Sequence, residues 1–168
     1  LDRKTCSIEL KKQNEKPVIS LLNSFSAPVL IEFKQSVDDM LSILEFETDF
    51  TSVWTAKKNL DYIALEKIDS EQSDIENIIS RTYKILRNKL DTPSLLAKLT
   101  ELPTDNEYFF KLLETRIPDP EAIRINLLKY GALYKKYFEE FSISYFKNFI
   151  HHKLYLRKNS NYQERALA

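Results

Sequence analysis

Residues 120–158 read PEAIRINLLKYGALYKKYFEEFSISYFKNFIHHKLYLRK and contain no proline after Pro120. Because proline removes a backbone N–H and clashes with the preceding turn, its absence permits one continuous helix. Pro120 itself suits the first helical turn, where a missing N–H costs nothing. The sequence therefore predicts a long C-terminal helix over these residues, with Gly131 or the serines Ser142 and Ser144 as the points where it would bend or break.

Aromatic residues concentrate in this helix: ten of the twenty in the chain lie between Tyr130 and Tyr162. They cover more than one helical face, and a helix that is apolar nearly all round is normally buried. One interpretation is therefore a central core helix. The other is that one face packs inward while the second face binds a partner, since aromatic side chains are enriched at interfaces. The candidate partner-binding residues are Tyr145, Phe146, Phe149, Ile150, Lys153, Leu154 and Arg157.

The glycine content indicates the fold class, since the chain has one glycine among 168 residues. A turn-rich β fold, a Rossmann fingerprint and a P-loop each require several glycines, whereas helices joined by short polar loops require almost none. We therefore expect an all-α bundle of five to seven helices. Residues 1–16 are predicted to form a flexible polar arm, 17–158 a single helical domain and 159–168 a polar tail.

Hydrophobic periodicity places the other helices. A capping box, in which Thr104 and Glu107 satisfy each other's backbone N–H groups, predicts one helix start. Asp49 or Thr51 is expected to start another, and Ser26 is expected to cap a third. The predicted helical ranges are 17–25, 29–46, 49–68, 75–90, 93–102 and 105–117.

The charge is zero overall but uneven along the chain. Residues 17–50 carry one base and six acids, a net charge of −5, and residues 146–168 carry five bases and one acid, a net charge of +4. These can be solvated faces that complement each other within one fold. Alternatively, the basic end contacts an acidic partner or a phosphate backbone.

Few residues of the kinds used in catalysis and metal binding occur in the chain. Cys6 is the only cysteine, which excludes an internal disulfide and a Cys-based zinc site. His151 and His152 are the only histidines, and neighbours on a helix point about 100° apart, so they do not chelate one ion. No Glu-x-x-His or Gly-x-Ser-x-Gly motif occurs. We therefore expect no enzymatic activity, no metal and no cofactor.

One segment resembles a known family. Residues 95–117, LLAKLTELPTDNEYFFKLLETRI, are similar to the helical hairpin of the N-terminal domains of transcription elongation factors. The basic, Asn-containing segment that follows in that family is replaced here by Pro118 and Pro120. The resemblance implies a protein-docking module in transcription rather than an enzyme. It rests on Leu96, Leu99, Leu102, Pro103, Leu112, Leu113, Thr115 and Ile117.

Together these features predict a non-enzymatic protein–protein interaction module, a subunit or docking domain of a larger complex that binds through its C-terminal helix. The expected partner is another protein or a second copy of the chain. One alternative is a nucleic-acid- or chromatin-associated helical protein, and another is a processed microbial surface or secreted protein. No apolar run reaches the ~20 residues of a transmembrane span, and we expect an intracellular location.

Overall fold

A computed structural model describes residues 17–21, 33–70, 72–89 and 93–151 of the chain. Within these ranges the chain forms six α-helices and no strand, which confirms the predicted all-α bundle with a long aromatic-rich last helix. Side chains are not described at positions 93, 94, 146 and 148–151. The helices are α1 (Val37–Phe46), α2 (Phe50–Glu66), α3 (Gln72–Arg87), α4 (Pro93–Thr100), α5 (Asp105–Leu113) and α6 (Pro120–His151).

Side-chain caps define where the helices begin. The Thr104–Glu107 capping box is present at the start of α5, as predicted. Asp49 caps α2 by accepting a hydrogen bond from the Ser52 backbone N–H, which confirms the predicted restart there. Each cap satisfies backbone donors that the first helical turn leaves without an intrahelical partner.

The predicted start of the first long helix is wrong for the described residues. Residues 33–36 are not helical, and α1 begins at Val37 rather than near residue 29. The physical reason is a second capping box, in which Ser36 and Asp39 satisfy each other's backbone N–H groups. The predicted N-cap at Ser26 lies outside the described residues.

Two further helix predictions need correction. Residues 17–21 of the predicted helix over 17–25 are not helical, and the Ile19 carbonyl instead accepts a 2.9 Å hydrogen bond from Gln35 Nε2. Helix α5 ends at Leu113, four residues before the predicted end. Ile117 is 94% exposed in the following loop, so burial does not hold it in a helical turn.

The long helix α6 packs against α2 and α3 in opposite directions. Asp61 and Lys57 of α2 contact Tyr130 and Tyr134, so α2 runs antiparallel to α6. Asp69 and Glu76 pair with Lys129 and Lys136, so α3 runs parallel to it. Helix α1 packs on both α2 and α3, and α5 packs on α6.

Helix α6 is continuous from residue 120 to residue 151, through Gly131 and both serines. A Cβ at Gly131 would meet Leu102 Cδ1 at 3.7 Å, an ordinary van der Waals contact. At 1.5 Å per residue the 32 residues of α6 span about 48 Å, roughly twice the length of α2 or α3. In the part of the chain that the structure describes, no helix is long and apolar enough to cross a membrane.

Candidate protein-docking surface

One row of aromatic residues on α6 belongs to the core. The Tyr134 and Phe138 rings are 6% and 4% exposed and stack with centroids 3.9 Å apart. Tyr83 of α3 meets the Phe138 ring edge-on at 5.2 Å, a geometry that aromatic quadrupoles favour. Tyr130 is also buried. The interpretation of this helix as a core element is therefore correct for this face. We call Tyr130, Tyr134, Phe138 and the residues that continue this face the inner row.

The inner row becomes less buried towards the end of α6. Phe141 and Tyr145 are half-buried, and their ring centroids lie 6.0 Å apart. Tyr145, one of the sequence-predicted binding residues, therefore extends the core face. Phe149 follows Tyr145 by four positions, which places it near the same face of the helix.

A second apolar row lies on the opposite face of α6. Ile143 follows Phe141 by two positions, about 200° around the helix, and is 49% exposed. The same relation holds for Leu128, which is 64% exposed and precedes the buried Tyr130 by two positions. The aromatic helix therefore carries apolar side chains on two faces, of which only one packs into the bundle.

Two of the sequence-predicted residues fall on this second face. Phe146 and Ile150 follow Ile143 by three and seven positions, so their backbone positions share its side of α6. Leu154 would follow at eleven positions, but it lies outside the described residues, as do Lys153 and Arg157. We call Ile143, Phe146 and Ile150 the outer row.

Helix α2 begins about level with the start of the outer row, and α3 ends about level with its middle. Lys57 of α2 contacts Tyr134 of α6, and the two helices are antiparallel. Seven residues further along each, Phe50 at the start of α2 therefore lies about level with Phe141. Asp69 and Glu76 each form an ion pair with the lysine 60 positions later in the chain. Because α3 and α6 are parallel, the same offset places Arg87, the last residue of α3, about level with Lys147. Beyond this level α6 continues past the ends of both helices.

The bundle also contains a buried charged cluster that the sequence analysis missed. Lys57 and Asp61 are each 1% exposed, and Lys57 Nζ donates to Asp61 Oδ2 at 2.6 Å. The Tyr130 hydroxyl donates to the other oxygen, Oδ1, at 2.7 Å. Lys57 Nζ also lies 5.3 Å from the centre of the Tyr134 ring, within cation–π range. The sequence contained one indication of this pair: Lys57 and Asp61 have i, i+4 spacing and lie on the face of α2 that is buried in the core.

Burial changes the ionisation of this cluster. Burial raises the pKa of Asp61, and the ammonium of Lys57 and the hydroxyl of Tyr130 oppose that change by stabilising the carboxylate. Desolvation and the Asp61 carboxylate raise the pKa of Tyr130 well above its usual range. All three groups are enclosed within the bundle.

A partly exposed carboxylate makes stability depend on pH. Partial burial favours the protonated form of Glu107, but hydrogen bonds from the Thr104 backbone and Lys58 outweigh it and lower its pKa below 4.5. A carboxyl group whose pKa is lower in the folded state stabilises that state at pH values above its pKa in the unfolded chain. This contribution is lost as the pH falls through the folded-state pKa.

We therefore expect Glu107→Gln to lower the melting temperature at neutral pH and to have little effect in acid, where the native residue is protonated as well. Thermal melts of both proteins across a pH series test this expectation. Glu140→Gln, at an exposed position on α6, is the control and should show no such convergence. A gap between Glu107→Gln and the native protein that persists undiminished to the most acidic pH at which both still fold would contradict the assigned role.

Within the described ranges, no group of three or more His, Cys, Asp or Glu side chains is placed to hold a metal ion.

A cavity of about 350 Å³ lies between the end of α5 and the start of α6, near the lower limit for small-molecule pockets. Arg116, Asp119 and Asn126 contribute its polar lining, together with apolar residues such as Leu112.

Comparison of the chain with protein-family models, with curated proteins and with solved structures finds no match in any of the three.

Proposed function

We propose that this protein is a non-enzymatic interaction module that binds a partner protein through the end of α6. The observation that supports this proposal is the exposed Ile143 side chain, which lies on the face of α6 opposite the core face. Ile143 is 49% exposed, and Phe146 and Ile150 continue its row at helical spacing. A row of large apolar residues on the solvent side of a helix is a common means of docking into a partner's groove.

Burial of the outer row would supply most of the binding free energy. Large aromatic residues at the centre of an interface account for a major part of affinity, so Phe146 is the expected anchor. Lys147, beside the row, is exposed, and Lys153 and Arg157 follow it in the sequence. Such charges at the rim orient a partner more than they increase affinity.

A photo-crosslinking experiment tests the proposal. A benzoylphenylalanine residue at position 150 of the full-length chain should crosslink to a defined partner in cells. The same residue at Phe110, which is 67% exposed on α5, is the matched control and should not capture that partner. Phe146→Ala should abolish the crosslink from position 150 without changing the circular dichroism spectrum.

The dependence of binding on salt distinguishes the proposal from nucleic-acid recognition. Binding to nucleic acid falls steeply as salt rises because it depends on phosphate neutralisation, whereas an apolar interface changes little. Equal crosslinking from positions 110 and 150, or crosslinking only to nucleic acid, would rule the proposal out.

A further inference from the structure

The cavity between the end of α5 and the start of α6 contains a buried hydroxyl group without a hydrogen-bond partner. Tyr108 of α5 is 0% exposed and lines this cavity of about 350 Å³. Among the described residues, no group meets its hydroxyl with hydrogen-bond geometry. A buried polar group that has lost its hydrogen bonds to water and gained none from the protein is costly, so the hydroxyl indicates an occupant of the cavity.

The Tyr108 side chain is held in place and protonated. Its ring stacks on that of Tyr62 of α2, with centroids 6.1 Å apart and planes 10° from parallel. Burial and the carboxylate of Glu66 raise the pKa of Tyr108 above its ordinary value, and the nearby guanidinium of Arg116 opposes this change without cancelling it. At neutral pH the hydroxyl is therefore a hydrogen-bond donor of fixed position.

One positive and one negative side chain of the cavity are left for a ligand. Glu66 and Arg116 both line the cavity, both are exposed, and neither forms an ion pair with another described residue. The two other acids are already engaged. Asp69 pairs with Lys129, and Asp119 accepts a 3.0 Å hydrogen bond from a backbone N–H in the first turn of α6. The cavity therefore offers a balanced pair of opposite charges beside the buried hydroxyl.

The loop that carries Arg116 is ordered by the end of α5. The backbone N–H groups of Thr115 and Arg116 both donate to the carbonyl of Leu112, at 3.0 and 2.9 Å. Leu112, Pro118 and Ile123 are buried and give the cavity an apolar wall. The site thus combines an apolar wall with a few fixed polar groups, as small-molecule sites do.

We propose that this cavity binds a free α-amino acid with an apolar side chain. Arg116 and the Tyr108 hydroxyl donate to its carboxylate, and Glu66 accepts from its ammonium group. One unpaired charge of each sign favours such a zwitterion over a simple anion or cation. The site is separate from the outer row, because Ile123 precedes Ile143 by 20 residues, about 30 Å along α6.

Isothermal titration calorimetry of the full-length protein tests the inference. The probes are L-alanine, L-valine, L-leucine and L-methionine, which differ in the size of the apolar side chain, and at least one of them should bind. For the tightest of them, the amide and the deaminated acid each lack one charge of the zwitterion. Both should bind at least about tenfold more weakly than the amino acid.

Two variants test the assigned contacts. Tyr108→Phe removes the hydroxyl but keeps the ring stack, and it should weaken binding about tenfold. Without ligand this variant should melt at the native temperature or above, since the hydroxyl has no protein partner to lose. Arg116→Gln changes an exposed side chain, so it should fold normally and weaken binding as well. Arg124→Gln, at an exposed position outside the cavity lining, is the matched control and should bind like the native chain.

Failure of all four amino acids to bind overturns the inference, and solvent then satisfies the Tyr108 hydroxyl. Equal affinity for the deaminated acid overturns it too, because the site would recognise a carboxylate alone. Native affinity in both Tyr108→Phe and Arg116→Gln would place the binding site elsewhere. Each of these results leaves the crosslink from position 150 unaffected, so the proposed function is decided separately.

Discussion

Asp61→Leu should destabilise the protein by about 3–5 kcal/mol, because it leaves the buried Lys57 ammonium without its counter-charge. Lys57 is 1% exposed, so water does not replace the lost carboxylate. The substitution also removes the acceptor of the buried Tyr130 hydroxyl. Urea unfolding at neutral pH, followed by circular dichroism, measures the change in the free energy of unfolding.

The matched control removes the whole polar cluster. In Lys57→Met/Asp61→Leu/Tyr130→Phe no buried polar group of the cluster loses its partner, and most of the lost stability should return, since apolar replacements of buried ion pairs are often neutral or stabilising. If Asp61→Leu alone unfolds at the native urea concentration, Lys57 is not held by this ion pair.

Phe138→Ala should cost about 3–5 kcal/mol, the range found when a buried aromatic side chain is truncated in a packed core. Phe138 is 4% exposed and contacts the rings of Tyr134 and Tyr83. Its truncation leaves a cavity where α6 meets α3. Urea unfolding measures this loss, and an increase in unfolding rate is expected as well.

Phe110→Ala provides the comparison for a phenylalanine on the surface. Phe110 is 67% exposed on α5, so its truncation should change stability by less than about 0.5 kcal/mol. Similar losses for Phe138→Ala and Phe110→Ala would contradict the assignment of the inner row as core.

The sequence determined the fold class and several helix boundaries. The single glycine predicted helices, and the Thr104–Glu107 pattern predicted the start of α5, because these signals depend on local backbone chemistry. The same locality explains the errors at α1 and α5. Ser26 and Ser36 are both acceptable caps by sequence, and hydrophobic spacing alone extended α5 to Ile117, which the tertiary structure leaves exposed.

Only the tertiary structure separated the two faces of α6 and revealed the buried Lys57–Asp61 pair. Helical spacing shows which residues share a face, but not which face another helix covers. That depends on which side of α6 packs against α2 and α3, and hence on contacts between residues about 60 to 80 positions apart. Charged residues are normally assigned to the surface, and the i, i+4 spacing of Lys57 and Asp61 does not show that both are buried; the tertiary structure shows this, with Tyr130 of α6 donating the second hydrogen bond to Asp61.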